Sequence, residues 1–248
     1  MTKLVKICGL KTQEAADKAI ESKADLLGVI LVPGRARSID HEVGKTISKR
    51  VKLERSKSKF QTSKELMEHA QELKLKDHNE YFIKIRDLII ENGPFLVGVF
   101  RNQSIEDVFK IAQELDVDFI QLHGNEILED YHKYNQDKFN GKFGIIKRYV
   151  IPKDIELMSQ TFSNMNNGLA LALLDSELGG EGKTIDWSYL NKMDGQFILA
   201  GGLNPDNLAD TNQYANIIGF DVSGGVEKEN GEKDLNSIDR FITNGKNL

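Results

Sequence analysis

Apolar residues fall into eight short runs: Leu4–Cys8, Leu26–Val32, Phe95–Phe100, Phe119–Leu122, Phe143–Lys147, Leu169–Asp175, Phe197–Ala200 and Ile217–Val222. Each is too short for a typical helix and is bounded by Gly, Pro or polar residues, which predicts strands. The runs are nearly continuous in hydrophobicity rather than alternating. Strands of that kind are covered on both faces, as in a parallel sheet. Amphipathic stretches of helical period follow most of them. Thr12 can cap Gln13–Ser22, Asp40 can cap His41–Lys52, and Ser104 can cap Ile105–Leu115, with Asp107 three residues on in a capping-box arrangement. Asn204-Pro205 puts proline at the first helical position before Asp206–Thr211. Ser237–Lys246 reads as the last helix.

Eight strands, each followed by a helix or helical turn, give the count of an α/β (β/α)8 TIM barrel, a parallel eight-stranded barrel. The 248 residues suit a single such domain over 1–248, since the fold usually takes about 250. An open doubly wound sheet is the alternative, because a strand count does not establish closure. The interval between the second and third runs is far longer than the others, so 55–92 reads as a helical insertion between strands 2 and 3. It begins basic (Arg55-Ser56-Lys57-Ser58-Lys59) and continues with helical spacing at Leu66, Ala70, Leu73, Phe82, Ile85, Leu88 and Ile89. A segment leaving the second helix emerges at the face opposite the strands' C-terminal ends. It is therefore expected on the barrel's outer wall or lower end, behind a mobile basic hinge near Ser56–Ser63, and dispensable to the chemistry.

Charge narrows the partners. Lys plus Arg is 33 and Asp plus Glu is 38, a formal charge of −5, whereas a nucleic-acid binder needs a concentrated basic face. No run approaches the roughly 18 apolar residues of a membrane helix. Cys8 is the sole cysteine, which excludes an internal disulfide and makes a reducing, cytoplasmic setting the expectation. The histidines and carboxylates show no metal-ligand spacing, so neither a metal nor a cofactor is expected. A monomer is expected, with a dimer through the insertion as the alternative.

In a barrel, chemistry gathers at the C-terminal ends of the strands, and there the sequence turns polar. Cys8 follows the first strand beside Gly9. It is either a small buried hydrophobe or, as a thiolate, a base or nucleophile. Asp175 closes an unbroken apolar run. It is either a solvated carboxylate or a general acid whose proton partial burial helps retain. Arg37 is either a surface arginine or a bidentate carboxylate clamp. Gly201-Gly202 and Ser223-Gly224-Gly225 follow strands 7 and 8, the recurring barrel phosphate site, where glycines let backbone N–H groups approach an anion. Their other reading is as plain turns.

Seven blocks, in order, resemble the N-(5′-phosphoribosyl)anthranilate isomerases of tryptophan biosynthesis, most of all their single-function fungal forms. They are Lys6-Ile7-Cys8-Gly9-Leu10, Val97-Gly98-Val99-Phe100, Gln121-Leu122-His123-Gly124, Leu174-Asp175-Ser176, the stretch from Gly179 to Trp187, the stretch from Ala200 to Asn207, and Asp221-Val222-Ser223-Gly224-Gly225-Val226-Glu227. The resemblance implies Cys8 as general base and Asp175 as general acid. It also implies Arg37 as partner of the substrate carboxylate and Gln121 and His123 as substrate contacts. The phosphate of a phosphosugar would lie on Gly201, Gly202, Ser223, Gly224 and Gly225. The chain departs from the family pattern chiefly in the insertion, and in Glu181 where a small residue is usual. Two competing readings are an indole-3-glycerol phosphate synthase-like barrel, which leaves the Lys-Ile-Cys-Gly-Leu block unexplained, and a non-catalytic phosphosugar-binding barrel, which leaves Cys8 and Asp175 unexplained.

Overall fold

In a computed structural model that describes residues 2–164, 166–175 and 186–248, the eight apolar runs are eight strands. They are β1 (Leu4–Ile7), β2 (Leu26–Ile30), β3 (Phe95–Phe100), β4 (Phe119–Leu122), β5 (Gly144–Val150), β6 (Leu169–Asp175), β7 (Phe197–Leu199) and β8 (Ile217–Val222). Each pairs in parallel with the next, and β8 pairs with β1, so the sheet is a closed barrel rather than an open one. Closure explains the unbroken hydrophobicity. One face of every strand fills the barrel and the other packs under a helix. Among the described residues no helix is long and apolar enough to cross a membrane.

The caps read from the sequence hold. Thr12 opens α1 (Gln13–Glu21) by accepting from Ala15 N, and Asp40 opens α2 (His41–Glu54) by accepting from Glu42 N and Val43 N. In the insertion lie α3 (Ser63–Glu72) and α4 (His78–Asn92). Beyond it are α5 (Ile105–Glu114), opened by Ser104, then α6 (Leu128–Phe139) and α7 (Ile155–Phe162). The last helix, α8 (Leu235–Lys246), starts two residues earlier than expected because Asp234 caps it through Ser237 N. The expected helix at Pro205 is absent. Asn204 Oδ1 instead accepts from the backbone N–H groups of Asp206 and Asn207, a local turn that competes with a helix start. Only a short 3-10 turn, Leu208–Thr211, follows.

The insertion belongs to the lower end. Helix α4 touches β1, β6 and β8, and its Tyr81 hydroxyl donates to Leu169 O at the start of β6. Phe82, Ile85, Leu88 and Ile89, the residues singled out by spacing, are buried in the main core. The mobile hinge expected near Ser56–Ser63 is instead a tied turn. Arg55 Nε donates to Gln61 O, and Phe60 N donates to Asn92 Oδ1. The partner atoms are backbone or distant in sequence, so a polar run gave no sign of them. Arg55 itself is buried against Asp118 and donates to Pro94 O. Asp118 in turn accepts from Leu96 N at the start of β3.

Breaking one side of a buried pair leaves an uncompensated charge, at a cost of roughly 3–5 kcal/mol. Arg55→Met is therefore expected to lower the denaturant midpoint steeply while kcat, measured where the variant is folded, stays within a few-fold of wild type. Equal stability of the variant and wild type would show that Asp118 needs no counter-charge.

Candidate functional site

Cys8 continues the line of β1, its N–H donating to Val222 O of β8. Side chains alternate along a strand, so Lys6 and Cys8 share the inner face of the barrel. The thiol lies over β2 at Gly28, where a Cβ would stand 2.8 Å from its Sγ; any side chain at 28 would expel it. Lys6 is fully buried. Its Nζ is 2.7 Å from Asp221 Oδ1 on β8, and its charge faces Cys8, two residues further along the same strand. Burial pushes the Cys8 thiol above its usual pKa and Asp221 adds to this, while Lys6 and Lys233 oppose it. Burial would strip Lys6 of its proton, but Asp221 and Cys8 outweigh it and hold the ammonium above its usual range.

Asp175 ends β6, buried at the rim of the same cleft. Arg148 Nε of β5 lies 3.4 Å from its Oδ2 and supplies a counter-charge. His123 Nε2 lies 3.7 Å from the same oxygen. Burial, reinforced by Arg148, Lys6 and Arg101, pushes His123 down to about 3, so the ring is neutral near pH 7. Gln121 Nε2 is 3.1 Å from His123 Nδ1. An amide nitrogen only donates, so Nδ1 accepts and the ring proton sits on Nε2, facing Asp175. Gln121 Oε1 is buried and has no hydrogen-bond partner among the described residues.

The loops after β7 and β8 meet at the other side of the cleft. A Cβ at Gly225 would stand 1.8 Å from Leu203 O, so only glycine lets the two backbones touch. Among the described residues no internal hydrogen bond uses the N–H groups of Gly202, Gly224 or Gly225. Gly201, Gly202, Ser223, Gly224 and Gly225 all line the cleft with Cys8, as the sequence led us to expect. Arg37 reaches it from the loop after β2, but its Nε–Nη2 edge already holds a carboxylate. Nε and Nη2 each lie 2.8 Å from an oxygen of Glu227. Lys233 Nζ bonds the same Glu227 at 2.9 Å and Ser223 O at 2.8 Å. Burial would raise the Glu227 carboxyl, yet the bonds from Arg37 and Lys233 hold it below its usual pKa.

The structure thus brings every site residue named from the sequence to one cleft. Reading the sequence assigned no role to Lys6, Asp221, Arg148, Glu227 or Lys233. Two of them did leave a signal. Lys6 and Asp221 are charges inside apolar strand runs, where a full charge needs a partner. Glu227 and Lys233 lie in loop sequence with no periodicity to place them. The stretch 176–185, with Glu181, lies outside the described residues.

Comparison with known proteins agrees with this geometry. A family model described as N-(5′-phosphoribosyl)anthranilate (PRA) isomerase matches residues 55–244. The N-(5′-phosphoribosyl)anthranilate isomerase of Candida albicans is 47% identical over 245 residues, covering 98% of this chain and 97% of that protein. That of Komagataella pastoris is 44% identical over 246 residues, covering 97% and 98%. Among solved structures, the phosphoribosyl anthranilate isomerase of Thermotoga maritima superposes with a TM-score of 0.68 at 29% identity, covering 100% of both chains. A solved complex of a phosphoribosyl anthranilate isomerase with reduced 1-(o-carboxyphenylamino)-1-deoxyribulose 5-phosphate gives 0.66 at 26%, covering 99% of this chain and 100% of that one. On these grounds the chain belongs to the N-(5′-phosphoribosyl)anthranilate isomerase family.

Proposed function

We propose that the cleft carries out the Amadori rearrangement of N-(5′-phosphoribosyl)anthranilate, an aminoaldose, to the aminoketose 1-(2-carboxyphenylamino)-1-deoxyribulose 5-phosphate, with Asp175 as acid and Cys8 as base. The family makes the chain an isomerase of tryptophan biosynthesis. The observation that supports the residue roles is a cysteine from β1 and a carboxylate from β6 lining one cleft at the strands' C-terminal ends.

The protonated Asp175 gives its proton to the ribose ring oxygen. The C1′–O bond breaks, the oxygen leaves as a hydroxyl, and the nitrogen lone pair forms an iminium ion. Arg148, 3.4 Å away, stabilises the carboxylate left behind. The iminium withdraws electrons and acidifies C2′–H, whose proton passes to the Cys8 thiolate. The resulting enolamine tautomerises to the ketone. The protein's contribution is a placed acid and base and two anchors that hold the substrate between them. Neutral His123, with its proton on Nε2, and Gln121 Oε1, unpaired among the described residues, are suited to contact substrate hydroxyl and amine groups. Arg37 is suited to a carboxylate, as its fork on Glu227 demonstrates; Lys233 keeps Glu227 charge-compensated when a substrate carboxylate competes for that guanidinium. The phosphate would lie on the backbone of Gly202, Gly224 and Gly225.

Three outcomes follow from this arrangement. Purified protein is expected to quench the fluorescence of phosphoribosylanthranilate, and Cys8→Ala and Asp175→Asn are each expected to lower kcat by ~10²-fold or more with the fold intact. Turnover near the wild-type rate in either variant would remove that residue from the mechanism. A Cβ at Gly224 would have Arg37 Nη2, at 3.2 Å, as its one neighbour within 4 Å among the described residues. Gly224→Val should therefore raise KM and weaken inhibition by inorganic phosphate without unfolding the loop, and unchanged phosphate inhibition would contradict the cradle. Arg37→Ala should raise KM for the natural substrate far more than for an analogue lacking the anthranilate carboxylate, and an equal penalty would show that Arg37 does not read that group.

A further inference from the structure

A lysine with no solvent exposure is rare, and a buried ion pair is a poor way to stabilise a barrel. Apolar residues of similar volume in the same place are often as stable or more so. The Lys6–Asp221 pair therefore calls for a reason other than packing. Its location supplies one. Lys6 and Asp221 are direct partners in the β1–β8 register. Lys6 points to the same face as Cys8, two residues on, and its Nζ is held 2.7 Å from Asp221 Oδ1. The ammonium is a short, strong hydrogen-bond donor with three protons and no acceptor. One proton engages Asp221, which leaves two for the inner face that Lys6 shares with Cys8.

We propose that the buried Lys6–Asp221 pair is what makes Cys8 a base: Lys6 is a positioning residue that carries the negative charge of the Cys8 thiolate, and Asp221 limits how much of that charge it carries. The proposal rests on the reading of Cys8 as the base. A dry site disfavours a bare thiolate strongly, yet a thiol cannot remove a C–H proton. Three cationic groups face Cys8: Lys6 from β1, Lys233 from the segment after β8, and Arg37 from the loop after β2. Glu227 bonds both Arg37 and Lys233. Of the three, Lys6 is the one that shares the strand and the inner face of Cys8, and it opposes the burial of the thiol more than Lys233 does. Asp221 faces the thiol as well, and as an anion it works against the thiolate. On the opposite side Lys6 also contributes to keeping His123 neutral, so one cation serves both the base and the neutral ring.

The two halves of the pair thus pull Cys8 in opposite directions, and that is the test. Cys8 is the sole cysteine of the chain, so thiolate ultraviolet absorbance and the pH dependence of iodoacetamide alkylation report on it alone in the full-length protein. Lys6→Met is expected to raise the ionisation midpoint by about one pH unit or more, slowing alkylation at neutral pH by ~10-fold. Asp221→Asn is expected to lower the midpoint. The acid limb of kcat/KM should follow the midpoint in each variant, with KM little changed. Should Lys6→Met fail to fold with Asp221 left unpaired, Lys6→Met/Asp221→Asn removes both charges; its midpoint is expected above wild type, because Lys6 weighs more on the thiol than Asp221 does. Folded variants whose midpoints do not move, or both move the same way, would overturn the assignment. Midpoints that move as stated while the kcat/KM limb stays fixed would leave the assignment standing and overturn Cys8 as the base.

Discussion

The closure of the sheet, β8 against β1, is the constraint on which the site depends. Its register pairs Lys6 with Asp221 and Ile7 with Val222, and Cys8 N extends the ladder onto Val222 O. A slip of one residue would turn every inward side chain of β1 outward. Lys6 would then lose Asp221 and face the helix layer, and Cys8 would leave the barrel mouth. The same register brings Ser223 beside Gly9, where a Cβ would stand 2.7 Å from Ser223 Oγ. One seam therefore sets Cys8, its charge partners and the start of the glycine loop together.

Buried charge is distributed unevenly through the barrel, and the distribution separates stability from function. At the lower end Arg55 and Asp118 join the insertion to β3 and β4 with backbone bonds on both partners. Every group there has its role in holding chain segments together. At the upper end Lys6–Asp221, Arg148–Asp175 and Arg37–Glu227–Lys233 surround an open cleft. Groups there are aimed at space as well as at one another, as Gln121 Oε1, without a partner among the described residues, shows. Preorganised charge of this kind costs folding free energy and returns it only when charge develops on a bound molecule.

Much of this was legible in the amino-acid order, for identifiable reasons. Strand positions were readable because a parallel strand is apolar on both faces, so eight runs stand out without tertiary information. The insertion's core residues were readable because Phe82, Ile85, Leu88 and Ile89 repeat at helical period. Cys8, Asp175 and the two glycine loops were readable because the fold fixes where strand ends gather. What failed was local chemistry that overrides a pattern, or contacts that no pattern encodes. Asn204 captured two N–H groups that Pro205 suggested would open a helix. Asn92, 32 residues away, tied down a turn whose basic composition suggested freedom. The Glu227 held by the fork of Arg37 from 190 residues away was not readable either; ion pairs between distant loops leave no periodic trace.

That last contact has a consequence for how the cleft works as a unit. Arg37 comes from the loop after β2 and Ser223 from the loop after β8, which stand on either side of β1. Glu227 bonds Arg37 with both oxygens, and Lys233 bonds both Glu227 and the Ser223 carbonyl. The carboxylate-type group and the glycine loop are thus held at a fixed separation by a chain of charge-assisted bonds, shorter and stronger than neutral ones. Cys8 lies beneath that chain, facing Lys233 and Arg37 as well as Lys6. A substrate anion that altered the bonds of Arg37 to Glu227 would change the field at the thiol as well as its own grip. On the reading of Cys8 as the base, anchoring at one end of the cleft and proton removal at its centre would be coupled through side chains from two loops, those after β2 and β8.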